Sequence, residues 1–119
     1  AEVVVWGTGK PRREFLHVDD LADALYVLME KYEEPETINV GTGEDVTIAE
    51  LAQLMKDVTG YEGRIAFDAT KPDGTPRKLL DVSRIRAMGW SAQIPLREGL
   101  TTTYAWALES GSLRDAVTT

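Results

Sequence analysis

The chain has 119 residues, 43% hydrophobic and 28% charged, which is typical of one small globular domain or of a piece of a larger one. Its formal net charge of −7 argues against a general nucleic-acid-binding protein, since such proteins are usually basic. The absence of cysteine excludes disulfides and thiolate chemistry and is compatible with the cytoplasmic location that we predict.

Neither a membrane segment nor a targeting segment is visible in the sequence. No apolar run approaches the ~20 residues that a membrane-spanning helix needs, and no signal peptide opens the chain, so we expect no membrane partner. Residue 1 is alanine and a β-like run begins at once, so we expect the chain to start inside a longer protein. The tail, about residues 111–119, is expected to fray.

The first half of the chain predicts strands around one helix. The β-branched run Glu2–Trp6 predicts a strand, and residues 14–17 predict a short second one. An amphipathic helix follows, with Asp19 and Asp20 as capping residues at its start. Residues 37–40 then predict a buried strand. The apolar residues that recur at helical spacing are Val18, Leu21, Ala22, Leu25, Leu28, Met29 and Tyr32.

The second half predicts more helices than strands. Thr47 and Glu50 have the spacing of a capping box, and Gly60 supplies the C-terminal stop of that helix. Residues 64–67 predict a strand, residues 68–77 a loop, residues 79–82 an extended segment, and Ser83 the cap of a short helix that closes at Gly89. The last amphipathic face comprises Leu96, Leu100, Thr103, Tyr104, Ala107 and Leu108. The mixture predicts an α/β fold without a full run of βαβ units.

The familiar catalytic and cofactor motifs are incomplete. The turn at residues 41–43 has two glycines of a dinucleotide fingerprint, but Val46 stands where the third belongs. A phosphate loop at residues 7–10 would need glycine at Val4. The lone His17 cannot build a metal site and is predicted to be a hydrogen-bonding residue at a strand end. No tyrosine has lysine four residues later, so we predict no catalytic, cofactor-binding or metal residues.

Positive charge is concentrated in two loops shaped by glycine and proline. The first carries Lys10, Arg12 and Arg13, and the second, "TKPDGTPRK", carries three more cations at positions 71, 77 and 78. In an acidic chain such loops favour a small anion, because arginine binds phosphate oxygens through a planar fork. Trp6 could stack on a ligand ring. The alternative is that the lysines are ordinary surface charges and Trp6 belongs to the core.

Two long stretches carry a specific resemblance. "WGTGKPRREFLHVDDLADA" and "FDATKPDGTPRKLLDVSRIRAMGW" resemble the carboxy-terminal part of the GDP-L-fucose synthases, which are extended short-chain dehydrogenases. "INVGTGEDVTIAELA" and "LREGLTTTYAW" match the same pattern but are shared with nucleotide-sugar epimerases and dehydratases in general. The resemblance implies a mixed, small-sheet substrate-binding region spanning residues 1–119, without the complete Rossmann domain.

The resemblance also implies a function for the parent enzyme. That family epimerises GDP-4-keto-6-deoxy-mannose and reduces it with NADP to GDP-L-fucose. Its cofactor loop and Tyr/Lys pair lie upstream, so NADP is expected in the parent, and no cofactor in this chain alone. Trp6 resembles a substrate-contacting residue, Arg13 the arginine that holds the diphosphate, and Asp73 a residue closing over substrate, unless Asp73 is a plain turn residue. The further substrate-binding candidates are Arg12, Arg77 and Lys78.

The expected partners are a GDP-sugar and the missing amino-terminal Rossmann domain, with a homo-oligomer as a further possibility. We expect the isolated chain to be inactive. One alternative is the same region of another nucleotide-sugar epimerase or dehydratase. A second alternative is a non-catalytic, self-associating interaction module, because loss of a neighbouring domain should expose apolar faces.

Overall fold

The computed structural model of the chain describes residues 1–113, so most of the tail that we predict to fray lies outside the described residues. Helices and short strands are mixed, which confirms the predicted α/β class. The strands are β1 (Glu2–Trp6), β2 (Arg12–Arg13), β3 (Val46–Thr47), β4 (Arg64–Asp68) and β5 (Arg77–Lys78). The helices are α1 (Val18–Lys31), α2 (Ile48–Thr59), α3 (Ser83–Ala87) and α4 (Leu96–Glu109).

The strands form two small sheets. β1 and β4 pair in parallel, and a second sheet has the order β3-β2-β5. Within the second sheet, β2 runs antiparallel to β3 and parallel to β5. Arg12 stands opposite Arg77, and Arg13 opposite Lys78. This register brings the two basic loops side by side, although they are separated by most of the chain.

The first basic loop is held by the start of α2. The predicted capping box is confirmed, since Thr47 and Glu50 exchange hydrogen bonds, and Gly60 ends the helix with a left-handed φ of 71°. The next two helix donors bind the loop, because the Ile48 amide donates to the Pro11 carbonyl and the Ala49 amide to the Gly9 carbonyl, each at 3.0 Å. The N-terminus of α2 therefore fixes the loop between β1 and β2.

The start of α1 differs from the prediction. His17, not an aspartate, is the N-cap, and its Nδ1 accepts a hydrogen bond from the Asp19 amide at 3.0 Å. The prediction of His17 as a strand-end residue was wrong. Asp20 is buried and accepts bonds from the amides of Gln93 and Ile94 at 3.0–3.2 Å. It therefore ties the segment before α4 to α1 instead of capping its own helix.

Three predicted extended segments are not strands. The strand predicted at residues 14–17 is instead at Arg12–Arg13, and residues 37–40 and 79–82 are irregular. Side chains take the backbone groups that a neighbouring strand would need. Arg84 donates to the Thr37 carbonyl at 3.1 Å, and the Leu80 amide donates to the Glu14 carboxylate at 3.0 Å. Because these partners are side chains far along the sequence, local strand propensity is overridden.

The cap of α3 also differs from the prediction. Ser83 is the first residue of the helix, and its amide donates to the Asp81 carboxylate at 2.9 Å. That backbone hydrogen bond, supported by the Ser83 hydroxyl, lowers the pKa of Asp81. The helix ends at Ala87, and Gly89 follows with a φ of 92°.

The buried core is small and lies between α1 and α3. It consists of Ala24, Val82, Ile85 and Trp90, with partly buried neighbours around them. The Trp90 indole N–H donates to Asp23 on α1 at 3.1 Å, so even this buried ring is hydrogen-bonded.

The outer side of α1 is apolar and exposed. Its exposed large apolar side chains are Val18, Leu21, Leu25, Tyr26 and Met29, the last with 85% of its surface accessible. We call these five residues the α1 stripe. Within residues 1–113, no helix combines the length and apolarity that crossing a membrane requires.

Candidate functional site

The two basic loops are joined by one aspartate and one threonine. The Thr8 amide donates to one oxygen of Asp73 at 2.8 Å, and the Thr8 hydroxyl donates to the other at 2.7 Å. These bonds, hydroxyl first, lower the pKa of Asp73. Gly7 has a φ of 94°, and a Cβ there would strike the Asp73 carboxylate. A side chain at position 7 would therefore separate the loops.

Two of the four cations in β2 and β5 are paired with one buried acid. Arg12 Nε lies 3.0 Å from one oxygen of Asp45, and Arg77 Nε lies 2.7 Å from the other. The Asp45 side chain is only 4% exposed. Burial by itself would raise the pKa of Asp45, but hydrogen bonds from both arginines and their positive charges lower it overall. Arg12 and Arg77 are thus both ion-paired within the chain, and they share one negative charge between them.

The other two cations lack such a partner. Arg13 and Lys78 are register partners, and successive side chains of a strand point to opposite faces. Across the described part of the chain, no carboxylate lies within 4.0 Å of either one. Arg13 is half-buried and Lys78 is exposed. The Arg13 guanidinium donates to the Arg12 carbonyl at 2.7 Å, which restrains its position.

Trp6 lies at the surface beside the second loop. Its side chain is 70% exposed, which contradicts the alternative that places this ring in the core. The ammonium group of Lys71 lies 5.1 Å from the ring centroid, within the range of a cation–π contact. Trp6 is therefore available to a ligand, with a cation next to its face.

A cavity of about 710 Å³ opens on the other side of Arg13. Its walls include Phe15, Val46, Arg86 and Trp90 as well as Arg13. Val46 is the cross-strand partner of Arg13, so the cavity is continuous with that face of the second sheet. The remaining predicted site residues, Trp6, Arg12, Asp73, Arg77 and Lys78, do not line it. Arg13 is thus the one candidate shared by the cavity and the joined loops.

Comparison with known proteins shows which proteins the chain resembles. The model of the NAD dependent epimerase/dehydratase family matches residues 1–41. The chain is 60% identical over 110 residues to probable GDP-L-fucose synthase 1 of Oryza sativa subsp. japonica, which is 92% of the chain and 34% of that relative. It is 55% identical over 118 residues to the GDP-L-fucose synthase of Escherichia coli K12, covering 92% and 37%. Over nearly its whole length, the chain is therefore similar to about a third of a GDP-L-fucose synthase.

A solved structure is similar to the chain in the same way. The GDP-L-fucose synthetase of Naegleria fowleri bound to NADP matches with a TM-score of 0.87 at 30% identity, covering 93% of this chain and 36% of that structure. The resemblance to GDP-L-fucose synthases within the epimerase/dehydratase family is thereby confirmed. The chain spans about a third of the length of the curated relatives it matches.

The two glycine turns do not fit a dinucleotide. The Gly43 amide is bound to Glu14 at 3.1 Å, and a Cβ on Gly43 would lie 2.5 Å from Arg86 Nη2. The Thr8 amide is taken by Asp73. In each glycine turn, one backbone amide is therefore already bound to a carboxylate of this chain, where a pyrophosphate would need it. Among residues 1–113 there is also no cluster of three or more potential metal ligands.

Two residues that shape the site were missed by the sequence analysis. Glu14 accepts hydrogen bonds from three places, the Thr42 hydroxyl and the amides of Gly43 and Leu80. Asp45 pairs with both arginines described above. Each is one acid among 20 acidic residues, and only charge complementarity to the basic loops could have indicated Asp45.

Proposed function

We propose that this chain is the carboxy-terminal, GDP-sugar-binding portion of an NADP-dependent enzyme. That enzyme epimerises and reduces GDP-4-keto-6-deoxy-mannose to GDP-L-fucose. Support comes from the identity to GDP-L-fucose synthases across 92% of the chain. The observation that carries the proposal is the register pairing of Arg13 with Lys78, two cations from separate loops with no acid partner in residues 1–113.

The diphosphate group is the part of the ligand that this pairing suits. Two adjacent phosphates need two cations, and arginine stays charged at any ordinary pH. A hydrogen bond to a charged group contributes about 1.5–3 kcal/mol where water is partly excluded. Arg12 and Arg77 contribute less to binding than Arg13 and Lys78, since both already donate to Asp45 and share its negative charge.

The two ends of the ligand extend from Arg13 in different directions. Arg13 lines the cavity, and its Nη2 also lies 3.2 Å from the place that a Cβ on Gly74 would take, next to Asp73. A diphosphate held there has its nucleoside in the cavity and its sugar toward Trp6. Asp73 acts by holding the loops together through Thr8, because its own charge would repel phosphate.

The chemical step needs the rest of the parent enzyme. The described residues do not fit NADP, so we propose that a Rossmann domain, absent here, holds it and covers the α1 stripe. Binding energy at the diphosphate would then position the sugar for chemistry on that domain. The same exposed stripe favours a second candidate, the self-associating interaction module, since large exposed apolar patches mark interaction sites.

Titration of the isolated chain with GDP, followed by two-dimensional NMR, tests the binding proposal. We expect weak binding, with a Kd of about 1 mM, because a pocket that lies between two domains lacks one wall. Arg13→Ala and Lys78→Ala should each weaken binding at least tenfold, the equivalent of about 1.4 kcal/mol. Lys31→Ala, which removes a cation at the end of α1, is the matched control and should bind like the wild type.

Two results would count against this function. Equal GDP affinity in the wild type, Arg13→Ala and Lys78→Ala would remove the diphosphate assignment. Reduction of the keto sugar nucleotide by NADPH with the isolated chain would contradict its proposed inactivity. Concentration-dependent association in light scattering, without any GDP binding, would favour the interaction module instead.

A further inference from the structure

We propose that Asp45 is a positioning residue for the diphosphate site, an inference that rests on the proposed function. Asp45 lines the same cavity as Arg13, but its two carboxylate oxygens are bound to other arginines. It binds the arginine that precedes Arg13 and the arginine that precedes Lys78. By doing so it holds β2 and β5 in the register that places Arg13 beside Lys78.

The geometry of Asp45 is that of a clamp across two strands. Its carboxylate oxygens bind Arg12 and Arg77 separately, at 3.0 and 2.7 Å. Its backbone carbonyl accepts a further bond from Arg12 Nη2 at 3.3 Å. Because the side chain is 4% exposed, water competes little for these bonds, and each oxygen is committed to one strand.

The second basic loop needs such a clamp. Every residue from 71 to 80 is exposed, so burial does not hold this segment. Its polar attachments to the rest of the chain include Asp73 to Thr8, the Arg12 amide to the Pro76 carbonyl at 2.8 Å, and the Leu80 amide to Glu14. β5 has only two residues, and like charges directly opposite each other in a sheet are destabilising. Without Asp45, Arg12 and Arg77 would repel each other at the pairing that sets the register.

Asp45 could influence anion binding through its charge or through the position of the strands, and these two explanations make opposite predictions for Asp45→Asn. Asp45→Asn removes one negative charge near the site, which by electrostatic attraction alone should tighten the binding of an anion. If Asp45 positions Arg13 and Lys78, the same change should weaken binding, because asparagine keeps one side-chain oxygen and its NH₂ group cannot accept a bond from the other arginine. The sign of the effect therefore separates the two explanations.

The experiment is GDP titration of the wild-type chain, Asp45→Asn and a matched control, Asp57→Asn. Asp57 is also ion-paired, with Arg97 at 3.3 Å, but it lies on α2 outside both sheets. We expect Asp45→Asn to bind GDP about five- to tenfold more weakly than the wild type, and Asp57→Asn to bind like the wild type. Circular dichroism confirms that each variant is folded.

A wild-type measurement covers the case in which Asp45→Asn does not fold. Side-chain Nε–H resonances of the arginines are followed during the GDP titration. We expect the Arg13 signal to shift with saturation, while the Arg12 and Arg77 signals stay close to their free positions because both groups remain bound to Asp45. Larger shifts of Arg12 or Arg77 than of Arg13 would overturn the inference.

The remaining outcomes distinguish failure of the positioning role of Asp45 from failure of the proposed function. Equal or tighter GDP binding by folded Asp45→Asn overturns the positioning role and leaves the proposed function standing. Absence of saturable GDP binding by the wild type overturns both, and this is seen before any variant is compared.

Discussion

Replacement of Glu14 by glutamine should destabilise the fold although the two side chains have nearly the same shape. One carboxylate oxygen of Glu14 accepts bonds from the Gly43 amide at 3.1 Å and the Thr42 hydroxyl at 3.3 Å, and the other accepts from the Leu80 amide at 3.0 Å. In Glu14→Gln one oxygen becomes an NH₂ group. That group must face at least one backbone amide, donor against donor.

The magnitude follows from these three bonds. A hydrogen bond to a charged group contributes about 1.5–3 kcal/mol, and a neutral one about 1 kcal/mol. Glu14→Gln loses one charged amide bond outright and weakens the other to a neutral one. The Thr42 bond adds little, because that hydroxyl also donates to the Glu44 carbonyl at 2.9 Å. At the lower end of the ranges above, the expected loss is about 2–3 kcal/mol. For a chain of this length, about 4 °C of melting temperature per kcal/mol gives a decrease of roughly 10 °C.

Urea and thermal unfolding followed by circular dichroism measure this loss directly. The control is Glu33→Gln, the same substitution at an exposed residue just after α1, which should stay within about 0.5 kcal/mol of the wild type. A Glu14→Gln variant as stable as that control would show that the three bonds contribute little. The account of Glu14 as the polar link between the 42–43 turn and residue 80 would then be wrong.

Three further outcomes are expected. Ile85→Ala, at the largest fully buried side chain in residues 1–113, should lower the free energy of unfolding by about 3 kcal/mol in urea titration. A loss below about 1 kcal/mol would contradict the assigned core. Because the folded pKa of Asp45 is lowered, the stability that this residue contributes is present above its unfolded pKa of about 3.8 and is lost as pH falls through the folded value. The midpoint of urea unfolding should therefore fall below about pH 4, and it should fall less steeply in Asp45→Asn. Met29→Glu should reduce self-association in analytical ultracentrifugation without loss of helix content, whereas unchanged association would exclude the α1 stripe as the contact.

Local sequence patterns determined much of the helical structure. The periodicity of apolar residues predicted α1, α2 and α4, and the Thr47 capping box and Gly60 stop placed the ends of α2. These signals act over three or four residues, so neighbours along the chain suffice to read them. The strand Glu2–Trp6 was also predicted correctly, because a run of β-branched residues is equally local.

The arrangement of the charges was decided only by the tertiary structure. Six cations in two loops predicted an anion site, but their charge and spacing did not distinguish Arg13 from Arg12, since the two are adjacent and chemically identical. Only the family resemblance favoured Arg13. The distinction comes from Asp45, which lies 33 positions from Arg12 and 32 from Arg77 along the chain. Ion pairs between such distant residues depend on strand pairing and burial, so a short sequence window cannot predict them. The strands predicted near Glu14 and Leu80 were misplaced because the hydrogen bond between these two residues is equally long-range.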